Sequence, residues 1–221
     1  MLRYNNWLRQ QPSGSITQTL IGVNVGVYLL QWFSPQLDLL SRFALQPQTI
    51  AEQNEWWRLI TSAFLHAGLT HIAFNMFALW QIGSALEKMV GPSRYLTLYL
   101  VSALGGSIAS YSLSYAFGYS VGASGAIFGL LTAYIIVGSS MRLNVSSAVM
   151  WLVINVAISF TGNIDKWAHF GGGAVGALLA WLFVERRRRG AKFDSVYYAV
   201  VTAIGGLLVL AFMLRTQALM S

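Results

Sequence analysis

GASGAIFGLLTAYIIVGSS, residues 122–140, carries no charged side chain and is long enough to cross a bilayer as a helix. It opens on a serine set among small residues, Gly122-Ala123-Ser124-Gly125. Six more apolar segments surround it: residues 16–33, 69–86 and 95–115 before it, and 146–160, 167–184 and 196–214 after it. The segment 146–160 is short for a straight crossing. Hydrophobic residues make up 56% of the 221 and charged residues only 10%, which excludes an ordinary soluble domain. The pattern predicts an all-α polytopic membrane protein with no separate soluble domain. With no cysteine in the chain, disulfides, thiolate metal sites and a cysteine nucleophile are excluded.

The charges orient the spans. With the amino end in the cytoplasm, inside-facing segments hold Arg3, Arg9, Lys88, Arg94, Arg142, Arg186 to Arg189 and Lys192, ten of the 14 basic residues. Arg42, Arg58, Lys166 and Arg215 then lie outside. This bias predicts a cytoplasmic amino terminus and, after seven spans, an external carboxyl terminus. The net charge of +7 is thereby read as topology rather than as a nucleic-acid patch. The chain divides into a cytoplasmic tail (1–15), a membrane domain (16–185), a basic linker (186–194) and an extra span with a short external tail (195–221). The amino end does not read as a cleaved signal peptide, and the lack of an Arg/Ser-rich leader favours a bacterial inner membrane.

In that orientation Ser124, His169, His71 and Asn75 all sit near the outer starts of spans four, six and two. Polar residues in lipid are costly, so four at one depth indicate a site. A serine hydroxyl is a poor nucleophile at neutral pH and needs a base, and His169 supplies an imidazole on another span. No Asp or Glu lies inside these spans, so the reading is a Ser–His dyad without a carboxylate third member. His71 and Asn75, four apart, project from one helical face. With the Ser124 N–H at a helix start they can serve a developing oxyanion. Gly122 and Gly125 allow the turn and close backbone approach. Gly125 and Gly129 on span four, and Gly172 and Gly176 on span six, repeat at four-residue spacing, which suits close helix packing and would bring Ser124 to His169.

Other readings of the same residues exist. Ser124 alone is a common packing residue in such a run. Three histidines are also a metal-site composition, as in a small transporter or permease, but that leaves Ser124 and its glycines unexplained.

The motifs together resemble the rhomboid family of intramembrane serine proteases, of the bacterial type, from about Trp56 to Gly176. Trp57-Arg58 resembles the family's first external loop, and His66, His71 and Asn75 its second span. Gly83 and Glu87 resemble a structural turn at that span's cytoplasmic end. Gly122-Ala-Ser124-Gly125 resembles the nucleophile motif, and Ala168-His169 with Gly172 and Gly176 the sixth-span motif. The resemblance implies a six-helix bundle, here with a seventh C-terminal transmembrane helix. It implies Ser124 as nucleophile, His169 as general base, and His71, Asn75 and the Ser124 N–H as oxyanion donors, with His66 structural. It implies no cofactor and no metal. Its substrates would be transmembrane proteins in the bilayer, cut near the outer face. Trp151 and Phe160 resemble residues that gate lateral access, and span five, flanked by Gly162, would be the movable wall. Phe128 stands where many relatives carry Tyr, keeping the stacking on the base but not the hydroxyl. A catalytically dead, helix-binding relative is the remaining alternative, disfavoured because both Ser124 and His169 are present.

Overall fold

The computed structural model describes residues 15–161 and 164–221, excluding the side chains of residues 191, 192, 194 and 197. Arg3, Arg9, Gly162 and the Lys192 side chain therefore lie outside what is described here. The long helices are α1 (Ser15–Phe33), α2 (Leu69–Val90), α3 (Pro92–Leu113), α4 (Ser124–Ser140), α5 (Ser146–Ile158), α6 (Lys166–Arg189) and α7 (Asp194–Met220). Among the described residues there is no strand, only one isolated bridge between Leu45 and Ser120. The protein is an all-α membrane protein.

Among the described residues, three helical stretches are long and apolar enough by themselves to cross a membrane: Pro92–Leu113, Lys166–Arg189 and Tyr198–Met220. The short helices Arg58–Phe64 precede α2 with a bend of 92°. At 17 residues, α4 is roughly 25 Å long, less than the ~30 Å hydrocarbon core.

The centre of the bundle is α3, α4 and α6, pressed backbone to backbone. A Cβ at Gly172 would overlap the Gly125 carbonyl, and one at Gly176 would overlap the Gly129 backbone. A Cβ at Gly106 would lie 2.6 Å from the Ala168 carbonyl oxygen. Without an oil-to-water driving force between spans, such close packing is what holds membrane helices together. Thr132 adds a polar tie, its Oγ1 donating to the Gly173 carbonyl of α6 at 2.8 Å.

Glu87, fully buried near the end of α2, caps α1. Its carboxylate accepts from the Ile16 and Thr17 backbone N–H groups at 3.1 and 2.9 Å and from the Thr17 hydroxyl at 2.7 Å. An anion at a helix N-terminus satisfies its unpaired donors and its dipole.

Residues 35–64 fold into several short helices. They are tied by Arg58, whose buried guanidinium donates to the Ser41 and Ala44 carbonyls at 2.7 and 2.9 Å and pairs with Glu55. Helix α6 runs through Arg189, so much of the basic segment is helical. Its Arg188 and Arg189 pair with Glu185 across one turn. The last helix, α7, docks on α3: Tyr111 stacks on Phe212 at 5.0 Å, its hydroxyl meets Thr216 at 2.6 Å, and Arg215 donates to the Tyr111 and Ser114 carbonyls.

Candidate active site

Ser124 is the first residue of α4, after a turn that only glycine accommodates easily. Gly122 has φ +123, and its N–H donates to the Ser62 carbonyl at 2.9 Å. A Cβ there would also sit 2.8 Å from His71 Nε2 and 3.5 Å from Asn75 Nδ2. The backbone beside Ser124 thus lies directly against both α2 side chains.

His169 lies in the first turns of α6, with Asp165 as the helix cap. The Asp165 carboxylate accepts from the Trp167 and Ala168 N–H groups at 3.1 and 3.0 Å and from the Ser110 hydroxyl of α3. This holds the start of α6 against α3. His169 Nε2 and Ser124 Oγ are 2.9 Å apart, within hydrogen-bond reach across two helices. The His169 ring is buried and lies on Phe128, with centroids 4.1 Å apart and planes 14° from parallel. Phe128, one turn after Ser124, therefore keeps the stacking read from the sequence.

On α2, the Ala67 N–H donates to His71 Nδ1 at 3.4 Å. The neutral ring then carries its hydrogen on Nε2, the atom facing Gly122. Asn75 is buried, and its Nδ2 has no hydrogen-bond partner within the protein. Two donors and the N-terminus of α4 thus converge beside Ser124. A buried amide donor without a partner costs stability unless something accepts from it. His66 packs edge-on against His71, with ring centroids 5.1 Å apart. Gln31 of α1 fixes it by two bonds to its backbone, each 3.1 Å.

The residues named from the sequence fall into two groups. Ser124, His169, His71, Asn75, Gly122, Gly125 and Phe128 meet at one end of the bundle, with Gly172 and Gly176 along the α4–α6 seam. Trp151 and Phe160 lie on or just after α5 and are 40% and 65% exposed. Trp151 lines a cleft of about 270 Å³ with Phe77 and Gln81 of α2 and Tyr134 of α4. Phe160 packs near Phe170 and the Lys166 ammonium.

One residue of the cluster escaped sequence reasoning. Ser159 Oγ is 2.6 Å from His169 Nδ1. A serine at the end of a short span has no distinctive pattern, and its distance from His169 depends on the angle between α5 and α6. The only available signal was its position ten residues before a histidine across a tight connection.

The sequence model of the Rhomboid domain matches residues 53–186, more than half of the chain. The chain is 36% identical over 182 residues to rhomboid protease GluP of Bacillus subtilis (strain 168), covering 78% of this chain and 35% of that protein. It is 39% identical over 161 residues to RHOMBOID-like protein 1 of Arabidopsis thaliana, covering 70% and 41%. With RHOMBOID-like protein 6, mitochondrial, of the same plant, it is 36% identical over 217 residues, covering 79% and 70%. The chain spans between about a third and a half of the length of the first of these relatives. A domain match over α2 to α5 and all but the last three residues of α6, with the glycine seam and the Ser124–His169 contact inside it, places this chain in the rhomboid family.

Proposed function

We propose that this protein is an intramembrane serine endopeptidase that cleaves transmembrane-helix substrates near the outer face of the membrane. The observation that carries the reading is the 2.9 Å approach of Ser124 Oγ to His169 Nε2, with the imidazole held flat on Phe128. Ser124 attacks the scissile carbonyl carbon while its proton passes to His169 Nε2. The oxyanion forms beside His71 Nε2–H, Asn75 Nδ2 and the Ser124 N–H, all on the Gly122 side. His169 returns the proton to the leaving amine, and water then releases the acyl group by the same route. The unpartnered Asn75 amide fits this role, since a preorganised donor waits for charge that appears only in the transition state.

A helix in lipid keeps its carbonyls in hydrogen bonds, so substrates must unwind locally and should carry small or helix-breaking residues near the cut. Access runs between α2 and α5, with Trp151 and Phe160 as gate residues and α5 as the wall that moves. Supporting this, α5 buries one side chain among those described, Ala148, and borders the cleft lined by Trp151. The bias of basic residues supports a cytoplasmic amino terminus and an external active site. The proposed location is a bacterial inner membrane.

The test is cleavage of a transmembrane substrate by the reconstituted protein. Ser124→Ala and His169→Ala should each abolish it while leaving the melting temperature near wild type. Metal dependence with indifference to Ser124→Ala would instead favour a transporter or metal site. Both His169 ring nitrogens are already engaged by serines, which speaks against that alternative.

A further inference from the structure

Ser159 caps the C-terminus of α5, directly after Ile158, and it is buried. Its Oγ lies 2.7 Å from the Asn155 carbonyl and 2.6 Å from His169 Nδ1. A hydroxyl has a single hydrogen. When the Asn155 carbonyl, which also accepts the Ser159 backbone N–H at 2.9 Å, takes that hydrogen, the O–H points along α5. Toward His169 the Ser159 oxygen is then the acceptor, and the hydrogen in that bond is on Nδ1. A neutral imidazole with Nδ1–H has its lone pair on Nε2, which faces Ser124 Oγ at 2.9 Å. That is the tautomer a general base requires.

The nearby carboxylate does not do this. Asp165, one turn before His169, has its oxygens engaged by the Trp167 and Ala168 N–H groups and by Ser110. Phe128 stacks on the ring but offers no hydrogen bond, so it fixes the plane and leaves rotation within that plane free. From this geometry we propose that Ser159 is a positioning residue that sets the tautomer and in-plane orientation of His169. It occupies the place that an aspartate takes in three-membered serine hydrolases.

The inference rests on the serine-peptidase reading and adds a consequence to it. The acceptor sits at the cap just past the C-terminus of α5, a helix whose own residues bury Ala148 alone among those described. A displacement of α5 away from α6 withdraws Ser159 from Nδ1. The position of that wall and the readiness of the base are therefore linked.

The experiment is labelling of the full detergent-solubilised chain by a small fluorophosphonate, with kinact and KI determined separately. In the labelling step the Ser124 Oγ–P bond forms, the P–F bond breaks, fluoride leaves, and the Ser124 proton goes to His169 Nε2. Ser159→Ala should lower kinact about tenfold with KI within about twofold of wild type. Ser159→Thr, which keeps the hydroxyl, should recover most of the loss. A wild-type kinact in Ser159→Ala overturns the proposal, and so does equal loss in the Ala and Thr variants. If the wild type labels no faster than Ser124→Ala, the serine-peptidase reading fails, and this inference fails with it.

Discussion

Helices α4 and α6 meet so closely that a single added methyl at Gly172 or Gly176 would overlap the opposing backbone. Helix α5, by contrast, buries Ala148 alone among its described side chains and leaves Met150 and Val153 largely exposed. The first pair carries Ser124 and His169, whose alignment tolerates little error. The second region borders the cleft and carries only the acceptor behind the base. Rigidity is thus concentrated where atoms must meet, and looseness where a bulky helix would have to pass. Regions with few buried apolar contacts are the ones that open at low cost.

The largest effect should come from removing that looseness. A disulfide introduced between α5 and α2 across the cleft should abolish cleavage of a transmembrane substrate while leaving small-probe labelling of Ser124 largely intact. Unchanged cleavage in the cross-linked protein would remove the gating claim.

Next comes damage to the rigid side. Gly172→Ala forces a methyl into the Gly125 backbone and should cost about 10²-fold in kcat, because small misplacements of reacting groups are expensive. Val153→Ala on the exposed face of α5 should change kcat by less than about twofold. Equal effects of the two would erase the contrast between the regions.

Asn75→Ala removes one of three donors at the oxyanion position. It should lower kcat by about 10- to 100-fold, at or below the usual range for a single donor, with KM little changed. A change confined to KM would move Asn75 from transition-state stabilisation to substrate binding.

The smallest expected effect is at Phe128. Phe128→Ala loses the stack on His169 and should slow labelling by about fivefold, from an aromatic contact of roughly 1 kcal/mol. Phe128→Tyr should stay near wild type. A large gain with Tyr would indicate that a hydroxyl there is needed and that Ser159 does not suffice.

How much was legible in the sequence depended on periodicity. The glycine pairs 125/129 and 172/176 are each spaced by four, so the α4–α6 seam is legible in the sequence itself. The adjacency of Ser124 and His169 then followed from both starting their helices on the same side. The short helices of residues 35–64 are tied by contacts that no local pattern encodes, among them Arg58 to the Ser41 and Ala44 carbonyls and Thr61 to the Phe43 carbonyl. The docking of α7 depends on Arg215 and Thr216 meeting the end of α3, a match between positions about a hundred residues apart that no local pattern encodes. Ser159 was hidden for a similar reason, since its role arises from how α5 leans toward α6.

The most direct test of the central claim is fluorophosphonate labelling of the detergent-solubilised protein, wild type against Ser124→Ala and His169→Ala. The account predicts a labelled band in the wild type, mapped to the peptide containing Ser124, and none in either variant at equal folding. Labelling that persists in Ser124→Ala, or proceeds at the wild-type rate in His169→Ala, would contradict it.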